Sequence, residues 1–267
     1  MDEMALDSVR EELRERTARF LQSAGAATEP FGLYVFAADA PESELARHVE
    51  REVFDEFFGN TPELLAAEYG AYEAATLFLC VLDHRRHLPA GMMRVVLPSP
   101  AGFKSLDDIE SAWGHRTHDV LAHTNLALDY ERVWDIATLA ADAEYRGRAT
   151  NGLVSLALYQ GVVQAALRCN AQWFVTILDL VVLDLIQQTT SRPFQSFTGI
   201  EPLSYLDSPA SLPVYCDLEE YLPRLHSADP SMYQILAEGR GLEAAVRPPD
   251  WARTLAGLLP VGRAQTA

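Results

Sequence analysis

The chain has 267 residues, 49% of them hydrophobic, and a formal net charge of −17. This is enough apolar content for one large domain with added helices, and it argues against a disordered chain. The acidic balance argues against nucleic-acid binding, which rests on neutralising phosphates, and no apolar run approaches the roughly 20 residues that span a bilayer.

The opening stretch, "MDEMALDSVREELRERTARF", is charged throughout. It lacks the basic start and apolar core of a secretory signal, so a cytoplasmic location is expected. Residues 3–23 instead read as an amphipathic helix, with Leu6, Val9, Leu13, Phe20 and Leu21 towards one side. Such a helix is a solvated face, a cap on a sheet edge or a contact in a homodimer. "GLYVFAA" (32–38) is a short strand. Ser43 then reads as the N-cap of a helix to Phe58, whose apolar positions Leu45, Val49, Val53, Phe54 and Phe57 keep a helical period. A second helix follows over 62–69.

"ATLFLCVLD" and "AGMMRVVLPS", separated by "HRRHLP", predict an antiparallel hairpin. Helix is expected near 105–124, then a strand in "RVWDIATLA". Residues 150–168 form a helix apolar on nearly every side, so it is buried. "AQWFVTILDL" is a buried strand and 181–190 a short helix. "FTGIEPLSYLD" and "LPVYCDLEEYL" read as late strand or turn segments. A helix near 230–239 and "WARTLAGLL" make a tail. This order predicts an α/β fold, one mixed sheet with helices on both faces. The expected organisation is an N-terminal helical extension over 1–30, a central domain over 31–225 and a helical tail over 226–267.

Cys80, Cys169 and Cys216 stand far apart with no CxxC pair, so reduced, buried thiols are expected. The histidines of "HRTHDVLAH" (His115, His118, His123) lack an HExxH pattern, and no metal is expected. No GxSxG is present, which argues against an α/β-hydrolase.

The stretch "YRGRATNGLVS" joins the strand of "VWDIATLA" to the buried helix. A helix start exposes unpaired N–H groups and the positive end of a dipole, which together favour anions. Gly147 and Gly152 let a ligand approach the backbone. Arg146 and Arg148 flank Gly147, and Ala149, Thr150 and Asn151 complete the loop. The pattern is neither GxxxxGK[ST] nor GxGxxG.

"WDIATLAADAEYRGRATNGLVSLAL" resembles the central segment of the GNAT acyltransferase superfamily, through Arg146, Gly147 and Ala149 of its RGxG-type motif, with Ala149 in place of glycine. "ELARHVEREVFDEFFG" and the hairpin ending at Arg94, Leu97 and Pro98 resemble segments of the homoserine-lactone and N-acyl amino acid synthases. In "WDIATLA", Asp135 stands where those synthases have glutamate, Ala137 replaces Ser/Thr and Thr138 replaces their arginine. The resemblance spans about 33–225.

It implies a GNAT-like mixed sheet and an N-acyltransferase that takes an acyl group from acyl-CoA or an acyl carrier protein to a small-molecule amine, an amino acid being one option. Loop residues 146–152 would hold the phosphates, and the backbone of Thr138, Leu139 and Ala140 would pair with pantetheine. Asp135 is the candidate base; its alternative is an Asp facing solvent or paired with an arginine such as Arg94. Arg94 would bind a substrate carboxylate or orient Asp135, or else lie at the hairpin surface. Tyr205 is a candidate hydroxyl acid or a packed ring. Two other readings stay open: a GNAT fold that binds acyl-CoA or a partner without catalysis, and thioester chemistry other than acyl transfer.

Overall fold

A computed structural model describes residues 3–25 and 27–256. Among them, nine strands form one mixed sheet in the order β6-β8-β5-β4-β3-β2-β1-β9, with β7 also on β8. The chain begins with α1 (Glu3–Ala24), β1 (Phe31–Ala37), α2 (Ser43–Phe58) and α3 (Pro62–Tyr69). The hairpin follows as β2 (Thr76–Asp83) and β3 (Leu88–Val96), then α4 (Lys104–Ser111) and α5 (Thr117–Thr124). The centre is β4 (Val133–Ala141), α6 (Leu153–Arg168), β5 (Trp173–Asp179) and α7 (Leu180–Thr189). The last elements are β6 (Gln195–Ser196), β7 (Leu203–Tyr205), β8 (Ser208–Asp217), α8 (Leu218–Ala228), α9 (Pro230–Leu236), β9 (Val246–Arg247) and α10 (Trp251–Ala256).

Every residue of β2 and β3 is buried because both faces of the hairpin are covered. On one face Leu79, Val81, Met93 and Val95 pack with Ala157, Leu158 and Val162 of α6. On the other, Phe78, Cys80 and Met92 pack with Leu45, Val49 and Val53 of α2 and Leu13 of α1. The α6 contact is close: a Cβ on Gly161 would lie 2.4 Å from Leu33 Cδ2 and 2.9 Å from Leu79 Cδ2. A third cluster sets Leu106 and Ile109 of α4 and Val120 of α5 against Val133, Val175 and Val214.

The expected single helix near 105–124 is two helices, because Gly114 between them takes a left-handed φ of 71°. "LPVYCDLEEYL" is strand only to Asp217, whose carboxylate accepts from Glu219 N at 2.9 Å and starts α8. The boundary drawn at 225/226 therefore falls inside α8. The tail also joins the main core: β9 pairs parallel with β1, and Gln164 Nε2 donates to Leu236 O at 2.8 Å and Ala237 O at 2.7 Å. Residues 257–267 of the expected tail, and residues 1–2, lie outside the described residues.

Candidate active site

β4 and β5 run parallel and pair only from Val133/Trp173 to Asp135/Val175. Beyond that, β4 stays with β3 as far as Ala141 and β5 stays with β8 as far as Asp179. The sheet therefore opens into a wedge. Two residues set its apex. Ala137 is an extra residue in β4, since Val95 pairs with Ile136 and Arg94 with Thr138; such a bulge bends the strand. Thr176 Oγ1 donates to Ile136 O at 2.7 Å, tying the two strands just beyond their last ladder pair.

A cavity of about 600 Å³ fills the wedge. Its walls include Phe54, Phe57 and Phe58 of α2, and also Tyr159, Val162 and Val163 of α6. These helices cover opposite faces of the sheet, so the cavity passes through it. Its deep walls are apolar, with Cys216, Leu218 and Leu236. Burial raises the Cys216 thiol above its ordinary range and the Tyr159 hydroxyl to about 12, so both stay neutral. Apolar side chains also rim the opening: Phe57, Val181 and Leu185 are exposed yet line it.

Thr138, Leu139 and Ala140 all line the cavity, as do Arg146 and Gly147. Arg146 Nε donates to Ala141 O at 2.5 Å, its Nη2 to Glu56 at 2.7 Å, and its guanidinium lies 4.6 Å from the Phe57 ring centre. This strap closes the loop onto the end of β4. Gly147 (φ 54°) and Gly152 (φ 75°) adopt left-handed backbone, and Gly152 begins α6 with no side-chain cap. Thr150 Oγ1 donates to Tyr145 O at 2.7 Å, whereas Arg148, Ala149, Asn151 and Gly152 are exposed.

Asp135 is fully buried and is absent from the residues that line the cavity. Ser105 donates to it twice, from N at 2.7 Å and from Oγ at 2.6 Å. Burial nevertheless raises its pKa to about 7, the Ser105 bonds and Lys104 opposing the rise. It neither faces solvent nor pairs with Arg94. Arg94, too, is buried rather than at a hairpin surface. Its Nε and Nη2 grip Glu50 at 2.9 and 2.6 Å, its Nη1 reaches Glu73 at 3.0 Å, and it stacks 4.6 Å from the Tyr69 ring. Glu50 also accepts from Thr138 Oγ1, and Arg94 is not among the residues that line the cavity. Arg51 pairs with Glu44 along α2.

Tyr205 does line the cavity, but its O–H is donated to Asp108. Lys104 Nζ binds Asp108 and Glu68 at 2.6 Å each. Burial, with neighbouring Tyr69 and Asp108, holds the Tyr205 proton far above its ordinary range. A phenol whose proton is committed in this way offers its oxygen, not its proton, to a ligand.

Among the cavity-lining residues that sequence reasoning passed over is a linked polar cluster, Asp179, Ser208 and Ser211. Asp179 Oδ1 accepts from Val181 N at 2.8 Å and caps α7, while Oδ2 accepts from Ser208 Oγ at 2.8 Å. Ser211 Oγ donates to Ser208 Oγ at 2.8 Å. The available signal was an acid ending an apolar strand, which reads equally as a helix cap. Among the described residues no group of three His, Cys, Asp or Glu side chains is placed to hold a metal, and no helix is long and apolar enough to cross a membrane.

No family model and no curated protein matches the sequence. Solved structures do. FeeM, an N-acyl amino acid synthase from uncultured soil microbes, superposes with a TM-score of 0.51 at 12% identity, over 73% of this chain and 95% of its own. The AHL synthase LasI gives 0.52 at 12% identity, over 71% of this chain and 91% of its own. At that identity the likeness is one of fold, and it extends over 95% of FeeM and 91% of LasI but over less than three quarters of this chain. With its nine-stranded mixed sheet flanked by helices, the chain has the GNAT-like fold of these acyl synthases.

Proposed function

We propose that this chain is an N-acyltransferase that moves an acyl group from a CoA or carrier-protein thioester to the amine of a small molecule. The observation that carries this reading is the wedge between β4 and β5, with its cavity through the sheet. From Ala137 to Ala141, β4 has no β5 partner. A pantetheine arm is a chain of amides, and an open strand edge binds such a chain as an added strand. Thr138, Leu139 and Ala140 then supply backbone groups to the arm. Its phosphate lies at the loop 146–152, where Gly152 leaves the start of α6 uncapped and Arg146 and Arg148 add charge.

The thioester then sits near the bulge at Ala137, and the acyl chain passes through the sheet to the apolar wall of Val162, Val163 and Cys216. This supports a long apolar acyl group, because burying such a chain there removes it from water at about 0.8 kcal/mol per methylene. The acceptor, an amino acid being one candidate, enters from the α2 side past Tyr69 and Tyr205. Asp135 acts as a strut that anchors α4 to β4 through Ser105, and Arg94 as a strut between β3 and α2. The net charge of −17 favours CoA over an acidic carrier protein as donor. Acyl thioesters of this kind fit a cytoplasmic enzyme.

The test is thiol release from acyl-CoAs of increasing chain length against a panel of amines, with mass spectrometry of the products. The expected result is amine-dependent thiol release and an N-acyl product, faster for long chains. Tight acyl-CoA binding without thiol release would replace the reading with a binding function. Thiol release independent of amine would replace it with other thioester chemistry.

A further inference from the structure

The cavity walls include one carboxylate among the described residues, that of Asp179. The neighbouring carboxylates are committed elsewhere: Asp135 to Ser105, Glu50 to Arg94 and Thr138, Asp108 to Lys104 and Tyr205. Asp179 stands four residues along β5 from the last ladder pair, as Leu139 does along β4, so it faces the wedge from across the gap. Its Oδ2 ends a chain of hydroxyls in which Ser211 donates to Ser208 and Ser208 donates to Asp179, each at 2.8 Å. Ser208 and Ser211 are 5% and 2% exposed. Three linked polar groups in an apolar cavity are costly to desolvate and are retained where they have partners.

The direction of the chain carries the argument. Both hydroxyl protons point towards the carboxylate, so the Ser211 end of the chain offers a ligand the lone pair of its Oγ. That end accepts a proton and donates none. Resting on the acyl-transfer reading above, we infer that Ser211, Ser208 and Asp179 form the relay that takes the proton from the attacking amine.

In the step itself, the amine nitrogen bonds to the thioester carbon and the C=O pair moves to oxygen. The N–H proton goes to Ser211 Oγ as the Ser211 proton goes to Ser208 Oγ and the Ser208 proton to Asp179 Oδ2. The oxygen pair returns, the C–S bond breaks, and the thiolate leaves with that electron pair. Asp179 then gives its proton back, through the same hydroxyls, to the thiolate. The sum is amine plus thioester to amide plus thiol. The second oxygen of Asp179 holds Val181 N, which fixes the carboxylate at the start of α7.

The experiment compares wild type with Asp179→Asn and Ser211→Ala, using an acyl-CoA donor and two acceptors, an alkyl amine and hydroxylamine. Asparagine keeps the α7 cap, so Asp179→Asn should fold. With the alkyl amine its kcat should fall by about 10²-fold or more, with the donor KM unchanged. Ser211→Ala should fall by about tenfold or more. With hydroxylamine, whose nitrogen is far less basic and sheds its proton more readily, both losses should shrink. Wild-type turnover with Asp179→Asn equally fast overturns the relay while leaving acyl transfer intact. Equal losses with both acceptors overturn it too, since a structural defect ignores amine basicity. Wild type that releases no thiol with any amine removes the acyl-transfer reading, and the relay with it.

Discussion

The buried carboxylate of Asp135 makes a quantitative prediction through the variant Asp135→Asn. In the folded chain this group is 0% exposed and holds its proton up to about pH 7, burial being the main cause. In the unfolded chain it loses that proton near its ordinary 3.8. Between those values the folded state binds more protons than the unfolded state, so stability from this group falls as pH rises and is lost above the folded pKa. The span corresponds to a loss on the order of 4 kcal/mol. Asparagine keeps the geometry: its carbonyl accepts from Ser105 N and its amide donates to Ser105 Oγ, replacing the bonds at 2.7 and 2.6 Å. It carries no charge at any pH. Urea unfolding followed by circular dichroism should therefore show the two proteins similar at about pH 4. At about pH 8 the variant should be the more stable by several kcal/mol. A stability difference that stays constant across that range would refute the reasoning, because it would mean that Asp135 titrates alike in both states. Asp135→Ala gives the complementary case, since it strands Ser105 N–H and should cost about 1–3 kcal/mol.

Arg94→Ala strands the buried Glu50 charge, whose bidentate partner it is, and should cost about 3–5 kcal/mol in thermal or urea unfolding; Glu50→Gln on top of it should recover part of the loss. Arg146→Ala should raise the KM for acyl-CoA by about tenfold, equivalent to about 1.4 kcal/mol, yet leave the KM for a phosphate-free thioester nearly unchanged. Gly161→Ala places a methyl 2.4 Å from Leu33 Cδ2 and should cost about 1–3 kcal/mol as α6 is pushed from the sheet, read as a lowered urea midpoint. Val163→Phe fills the α6-side wall of the cavity and should lower kcat/KM for long acyl-CoAs while sparing short ones.

The strands, the hairpin and α6 were legible because their apolar pattern is local: "TLFLCVLD" is an apolar run buried on both faces and α6 is apolar on nearly every side. Asp135 was legible as a residue that must have a partner, but the partner was not. Ser105 lies 30 residues away on another element, and Arg94 is claimed by Glu50, 44 residues off. No periodicity reports such long-range pairs. The bulge at Ala137 was equally hidden, since one extra residue leaves no mark in an apolar run. The loop 146–152 was legible by its glycines, and the structure places its first two residues at the mouth of the cavity. Asp179 was overlooked for a physical reason: its capping role is real, and the same side chain performs a second task with its other oxygen. A single sequence position cannot distinguish one role from two.

The polar groups around the wedge fall into two sets by position in the sheet. Asp135, Arg94, Glu50 and Thr138 all lie on β3, β4 or the helix against them, fully buried. Asp179, Ser208 and Ser211 lie across the wedge on β5 and β8. A buried ion pair adds little stability over an apolar packing of equal volume, and its value lies in fixing one arrangement. Here the arrangement fixed is the course of β4. Arg94 ties β3 to α2, Thr138 joins β4 to the same Glu50, and Ser105 holds Asp135 from α4. β4 is thus anchored from two helices just where it loses β5. An unpaired strand edge would otherwise relax towards its neighbour and close the gap. The charges in the core therefore hold the course of β4 where it parts from β5, and a preorganised open edge of this kind is what the proposed binding of a pantetheine arm requires.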